Sequence, residues 1–230
     1  METLLNKIFT PKCLFCNKVG QVFCDNCLSA CELIKKQRCL VCDKPSRNGE
    51  THEKCKTQST PQKILTIYKY DGLTRECIRK SKYNSRYFSS LKELAYESTQ
   101  LLREQKLDKY LKDRIIVSIP LSKRKEKIRG FNQVDIISDA ICRAYKMKKD
   151  NSVLQRNKDT VAQHSYNRKQ RFLNIEGCFS ANKSKVKGKD FVVVDDISTT
   201  GATMLEASKV LLEAGANSVV CFALSKKVLD

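Results

Sequence analysis

"FVVVDDISTTGATM", residues 191–204, sets four consecutive apolar residues before two adjacent aspartates and a run of threonines around one glycine. Four apolar residues without polar alternation read as a strand buried on both faces, as in a parallel sheet covered by helices. Asp195 and Asp196 then fall at the strand's carboxyl end. Thr199, Thr200, Gly201, Ala202 and Thr203 form a small-residue turn, and from Thr203 the apolar spacing becomes helical through Met204, Ala207, Val210, Leu211 and Ala214. In such a strand, loop and helix unit, hydroxyls, backbone N–H groups and the positive end of a helix converge where an anion would lie. The two carboxylates beside it repel an anion but accept hydrogen bonds from hydroxyls. A phosphorylated sugar suits both halves, with its phosphate in the loop and its hydroxyls on the aspartates.

The flanking sequence repeats the alternation of strand and helix. "ILTIYKY" (64–70) reads as a strand, "SSLKELAYESTQLL" (89–102) as a helix with Leu91, Leu94, Ala95, Leu101 and Leu102 on one face, and "IIVSIP" (115–120) as a strand stopped by Pro120. "NQVDIISDAICRAY" (132–145) is a further amphipathic helix, with Val134, Ile137, Ile141 and Ala144 facing inward. Residues 151–189 read as a long irregular basic segment. "VVCFAL" (219–224) is the last strand, after a helix that Gly215 ends. The expected class is α/β with a mainly parallel sheet, whose ligands bind beyond the carboxyl ends of the strands. There is no GxxxxGK[ST] and no GxGxxG after a strand, which excludes the P-loop and dinucleotide fingerprints. A phospho-receiver domain would carry its aspartate pair near its start, not near the end.

At 230 residues the chain accommodates one sizeable α/β domain and a small appendage. No apolar run approaches the roughly 18 residues a membrane span needs, and "METLLNKIFTPK" is too polar for a signal peptide. A cytoplasmic location is expected. Eight of the 12 cysteines precede residue 56, and in a reducing compartment metal binding explains them better than disulfides.

Cys13, Cys16, Cys24 and Cys27 form two CxxC pairs, enough for a closed tetrahedral shell with no position for substrate, the pattern of a structural zinc site. Cys39, Cys42, His52 and Cys55 offer a second set of three sulfurs and a nitrogen, which suits zinc as well; spacing alone leaves one shared or two separate sites open. Cys31 reads as a small apolar residue or spare thiol. The polar stretch "QSTPQ" (58–62) is the expected linker, dividing a cysteine-rich module, 1–60, from an α/β domain, 61–230.

The 44 Lys and Arg against 25 Asp and Glu give +19, unevenly spread. Residues 121–190 alone carry 18 basic and 7 acidic side chains, the distribution expected of a polyanion-binding surface. A lysine-rich solvated surface is the plainer account of the same charge.

"VVVDDISTTGAT" resembles the phosphoribosyl diphosphate (PRPP) motif of type I phosphoribosyltransferases. With "IPLSKRKEKIRGFNQ" (119–133), "TVAQHSYNRKQRFLNIEGCF" (160–179) and the cysteine pairs, the chain is similar over nearly its whole length to ComF/GntX-type competence proteins. The resemblance implies a zinc-finger-like head on a phosphoribosyltransferase-fold domain and a part in natural DNA uptake, with other DNA-uptake proteins as partners. It further implies that Thr199–Thr203 hold the 5′-phosphate, that Asp195 and Asp196 hold the ribose hydroxyls, and that Pro120, Leu121, Ser122 and Lys123 form the pyrophosphate loop, with Arg129 and Gly130 entering the next helix. Thr160, Gln163 and Arg171 would belong to a mobile loop closing over the site. His52 departs from the cysteine more usual at its position.

In a working transferase, Lys123, Arg129 and a Mg²⁺ carried largely by substrate oxygens would stabilise the departing pyrophosphate, while the acidic pair fixes the ribose. PRPP-motif proteins include regulators, so the activity does not follow from the motif. Lys123, Lys125, Arg129, Arg168 and Lys169 are the candidates for single-stranded DNA, with Tyr166, Phe172 and Phe179 as nearby aromatics. Arg79, Lys80, Lys82 and Tyr83 are weighed equally as ligand contacts and as a solvated helix start. A metabolic phosphoribosyltransferase with a structural zinc module is the alternative function.

Overall fold

A computed structural model of the chain describes residues 11–158 and 168–228. Its centre is a four-stranded parallel sheet of β1 (Lys63–Lys69), β2 (Ile115–Ser118), β5 (Asp190–Ser198) and β6 (Ser218–Lys226), in the order β1-β6-β5-β2. β3 (Leu154–Arg156) and β4 (Phe179–Ala181) pair separately and antiparallel. The helices are α1 (Asp25–Ser29), α2 (Gly72–Ser81), α3 (Phe88–Glu104), α4 (Lys123–Arg129), α5 (Gln133–Tyr145), α6 (Arg168–Ile175), α7 (Lys183–Val186) and α8 (Ala202–Glu213). Among the described residues no helix is long and apolar enough to cross a membrane.

The unbroken apolar run of β5 follows from helices and loops covering both of its faces. Val192 and Val194 join Leu91, Leu94, Ile137 and Ile141 on one side, while Phe191 and Val193 join Met204, Ala207 and Leu211 on the other. All eleven side chains are fully buried or nearly so. Each such apolar group contributes about 1.5–3 kcal/mol, so the two layers hold β5 centrally. Leu101 and Ala144, expected on the inward faces of α3 and α5, are half-buried at the margins.

The strand runs on past the four apolar residues to Ser198, so both aspartates lie inside it, as its sixth and seventh residues, Asp195 in register with Ala223 of β6. The segment 151–189, expected to be irregular, contains β3, α6, β4 and α7 among its described residues. Three-residue strands are too short to display alternation, which is why sequence periodicity does not reveal them. "RKSKYNSRYF" is the end of α2 and the approach to α3, with Lys82 as the α2 C-cap, rather than a helix start.

The cysteine-rich residues are tied into this architecture. Residues 32–34 lie antiparallel to β1, with Ile34 N donating to Ile67 O at 2.7 Å and Lys69 N to Glu32 O at 2.8 Å. Gln37 adds side-chain bonds to the backbone of Thr66. The outer edge of β1 is thereby paired over this stretch instead of being left as an open template. Cys13, Phe23, Cys24, Cys27 and Cys31 belong to the apolar cluster that includes α3, and Phe15 stacks on Phe23 and Tyr87.

Candidate functional site

A cavity of about 310 Å³ opens at the carboxyl end of the sheet, lined by the ends of β2 and β5, by α4, α5, α6 and by Lys82. The loop that begins at Thr199 turns on Gly201, whose φ of 81° is left-handed and which caps α8 without a side-chain hydrogen bond. The threonines are therefore not consumed in capping. Thr199, Thr200 and Thr203 line the cavity, and the first N–H groups of α8 lack helical acceptors there.

Asp195 and Asp196 meet different surroundings although they are neighbours. Asp196 is 5 % exposed and sits 2.8 Å from the Lys82 ammonium, while Gln133 Nε2 donates to the same Oδ2 at 2.9 Å. Burial opposes its ionisation, but the Lys82 charge and these hydrogen bonds outweigh it and hold Asp196 below the usual carboxylate range. Asp195 is pushed up to about 8, first by burial and then by the charge of Asp196, although its Oδ1 accepts from the Asp196 N–H. The pair thus offers one fixed anion and one group poised to change charge near neutral pH.

Five cationic side chains border the cavity: Lys82, Lys125, Arg129, Arg156 and Arg171. Lys125 is held below the usual lysine range by burial and then by the charges of Arg156, Arg129 and Lys82. Such mutual repulsion is relieved by a bound polyanion. Arg129 donates to Gln133 Oε1 at 3.1 Å, so a hydrogen-bonded chain runs from α4 through α5 to Asp196. Arg171 Nη1 donates to Thr199 Oγ1 at 3.0 Å, joining α6 to the loop.

The expected site residues divide accordingly. Asp195, Asp196, Thr199, Thr200, Ala202, Thr203, Arg129, Arg171, Pro120 and Leu121 are brought together around the cavity. Gly201 lies in an adjoining recess of about 20 Å³ beneath the same loop. Ser122 caps α4 by accepting from Lys125 N. Lys123 is exposed on α4 outside the lining, and Lys125 faces the cavity in its stead. Thr160 and Gln163 lie outside the described residues, as does Tyr166. Arg168 opens α6, and Lys169 beside it is exposed. Phe179 is buried at 5 % exposure and Phe172 packs partly against the core; Tyr83 is 73 % exposed, with the Arg129 guanidinium over one face of its ring at 5.3 Å. Arg156, Gln133 and Asn174 are cavity residues that the sequence reading passed over. Only the RKSKY stretch carried a hint of Lys82.

Two clusters of four ligand-type residues stand apart from the cavity lining: Cys13, Cys16, Cys24 and Cys27, and Cys39, Cys42, His52 and Cys55, the ligand atoms of each set lying within 4.8 Å of one another. Tetrahedral zinc with bonds of about 2.3 Å needs sulfurs roughly 3.8 Å apart, which this spacing accommodates. The clusters are built alike. Asn17 N donates to Cys13 O and Cys13 N to Lys18 O; likewise Asp43 N donates to Cys39 O and Cys39 N to Lys44 O. Each knuckle ends on a left-handed residue, Asn17 with φ 63° and Asp43 with φ 60°. His52 turns Nδ1 toward Cys42 Sγ at 3.2 Å, and its Nε2 lies 3.1 Å from Pro45 O. A carbonyl only accepts, so Nε2 carries the proton and Nδ1 presents its lone pair to the cluster, the arrangement of a metal-ligating histidine. Both sets can hold a metal ion. Cys31 is buried, with its thiol on Cys27 O, and belongs to neither.

Residues 135–228 match the phosphoribosyl transferase domain family. Over 210 residues, 82 % of this chain and 89 % of the relative, the sequence is 29 % identical to DNA utilization protein YhgH of Escherichia coli K12. It is 25 % identical over 225 residues to competence protein ComFC of Bacillus subtilis 168, covering 94 % of this chain and 88 % of that one. Over most of its length the chain is thus similar to competence and DNA-utilization proteins, and it carries a phosphoribosyl transferase domain. Among solved structures, the glutamine PRPP amidotransferase of B. subtilis aligns over 59 % of this chain and 26 % of its own, with 20 % identity and a TM-score of 0.38, a likeness too loose to carry an argument. The matched transferase domain begins within α5 and ends just beyond β6. It therefore contains the acid pair, the threonine loop, Arg156 and Arg171, while Lys82, Lys125 and Arg129 enter the cavity from outside it.

Proposed function

We propose that the cavity binds PRPP and that the basic surface around its mouth binds single-stranded DNA, in a protein of the DNA-uptake machinery. The observation that carries the first part is the meeting of an acid pair and a hydroxyl-lined helix N-terminus with five cationic side chains in one 310 Å³ cavity. The loop 199–203 takes the 5′-phosphate, Asp195 and Asp196 take the ribose hydroxyls, and Lys125, Arg129 and Arg156 face the diphosphate. Mg²⁺ would arrive with the diphosphate and supply charge neutralisation at its oxygens. Lys82 and Gln133 hold Asp196 in its charged form for the sugar. Arg171, bonded to Thr199, supports the phosphate loop from α6.

The competence role draws support from the name of the relative ComFC, together with the charge of residues 121–190. The exposed Lys123 of α4 and Lys169 of α6 flank the cavity, and Tyr83 offers a ring for stacking. Both clusters hold zinc, as their S₄ and S₃N donor sets favour. The domain boundary is placed near residue 60, with the cysteine module acting as scaffold.

Titrating one preparation with PRPP plus Mg²⁺ and with a single-stranded oligonucleotide tests both parts. Saturable binding of each is expected, with any coupling reciprocal between the two. Absence of oligonucleotide binding at low salt, together with release of pyrophosphate that depends on an added nucleobase, would replace this reading with that of a metabolic phosphoribosyltransferase.

A further inference from the structure

The threonine loop is held by more than its own strand and helix. A Cβ on Gly201 would lie 2.6 Å from Leu40 Cδ1 and 3.1 Å from Leu40 O, so Leu40 sits directly on the loop. Leu40 is 3 % exposed and is the second residue of the Cys39–Asp43 knuckle. Its neighbour Val41 borders a groove with Ala202 and Leu205, the start of α8. At the end of the knuckle Asp43 pairs with Lys226 Nζ at 2.8 Å, the lysine side chain being 4 % exposed. Lys226 is in register with Ser198, and Lys227 N donates to Ser198 O at 3.0 Å. The knuckle therefore braces the loop twice, at Gly201 through Leu40 and at Ser198 through Asp43 and Lys226. The first knuckle has the same internal shape but packs on the α3 side, where Phe15 meets Phe23 and Tyr87.

We infer that the metal site of Cys39, Cys42, His52 and Cys55 controls the order of the loop 198–203, with Leu40 and Lys226 as the positioning residues that transmit it. A knuckle of this size draws its folding free energy from its metal. With the metal in place Leu40 is pressed onto Gly201; without it the backbone that carries Leu40 and Asp43 loses its shape, and the loop loses both braces. A single methylene-sized retreat is felt in such packing, because closely packed interiors have little slack. What the loop binds rests on the proposed function, but the bracing itself does not.

The test is hydrogen exchange on the metal-loaded full chain, following peptides that span residues 198–204, β1 and α3. Leu40→Ala should raise exchange in 198–204 about tenfold while β1 and α3 keep their wild-type rates and elemental analysis finds the full metal content. Lys226→Met, which leaves every cysteine and Leu40 in place, should raise it in the same peptide. His52→Ala should lose the second metal and match Leu40→Ala, whereas Cys16→Ser, which alters the other cluster, should leave the loop at the wild-type rate. Wild-type exchange of the loop in both Leu40→Ala and Lys226→Met would overturn the inference, as would an equal acceleration by Cys16→Ser. Should Leu40→Ala unfold globally, Lys226→Met decides. PRPP affinity should fall with loop order in the same variants; if the wild-type chain binds no PRPP, the proposed function fails while the exchange result still judges the bracing.

Discussion

Asp195 and Asp196 share a strand end, yet their environments push their charges in opposite directions, and this has a measurable consequence for stability. Asp195 binds its proton up to about pH 8 in the folded chain, against 3.8 for an ordinary aspartate. The folded state therefore holds a proton that the unfolded state releases between these values. The stability linked to Asp195 is whole below about pH 4 and is lost as the pH rises through 8. Asp195→Asn is neutral throughout and retains an oxygen for the Asp196 N–H. Its advantage over the wild type, measured by urea unfolding without ligand or divalent cation, should grow from pH 5 toward pH 8 and level off above it. An advantage that is constant with pH would contradict the raised value. The acid pair was legible because adjacent aspartates after an apolar run are a local pattern. Lys82 was legible only as one of four candidates in RKSKY, and Arg156 not at all, since packing of α2 and β3 decides which basic side chains reach the cavity.

At the scale of elements, those with a repeating apolar face were readable and those without one were not. β1, β5, β6, α3, α5 and α8 bury continuous sets of side chains, the strands legible as apolar runs and the helices by their period. α4, Lys123–Arg129, buries none of its seven residues and is fixed instead by Ser122 at its start and the left-handed Gly130 at its end, so no periodicity exists to find. The same absence of packing leaves Lys125 and Arg129 free of core duties, which lets the element serve the cavity. The cysteine knuckles were legible from spacing alone, because thiolates at CxxC separation need no tertiary context to be recognised. We expect elemental analysis of anaerobically purified chain to find two zinc ions. Cys13→Ser or Cys27→Ser should remove one of them and unfold the first module, whose metal contributes on the order of 10 kcal/mol. Protein without zinc that keeps its fold would count against both sites.

For the whole molecule, part of the basic excess reaches the cavity, through Lys125, Arg129, Arg156 and Arg171, while Lys183, Lys185, Lys187 and Lys189 lie at the other end of β5. Residues 121–190, with 18 basic side chains against 7 acidic, supply α4, α6 and β3 to the cavity rim. Neutralisation of about five phosphates of single-stranded DNA should give a log affinity that falls with log salt at a slope near −3.5. Charge reversal at Lys123, Lys125 and Arg129 should flatten this slope, which anisotropy titrations at several salt concentrations would read; binding indifferent to salt would remove the backbone-tracking role. Occupancy of the sugar-phosphate site is read by the melting temperature of the full chain with and without PRPP and Mg²⁺. At about 100 times its dissociation constant the ligand should add roughly 2.7 kcal/mol, raising the melting temperature of the wild type but not of a chain carrying both Asp195→Asn and Asp196→Asn. An unchanged wild-type melting curve across millimolar PRPP would contradict the account.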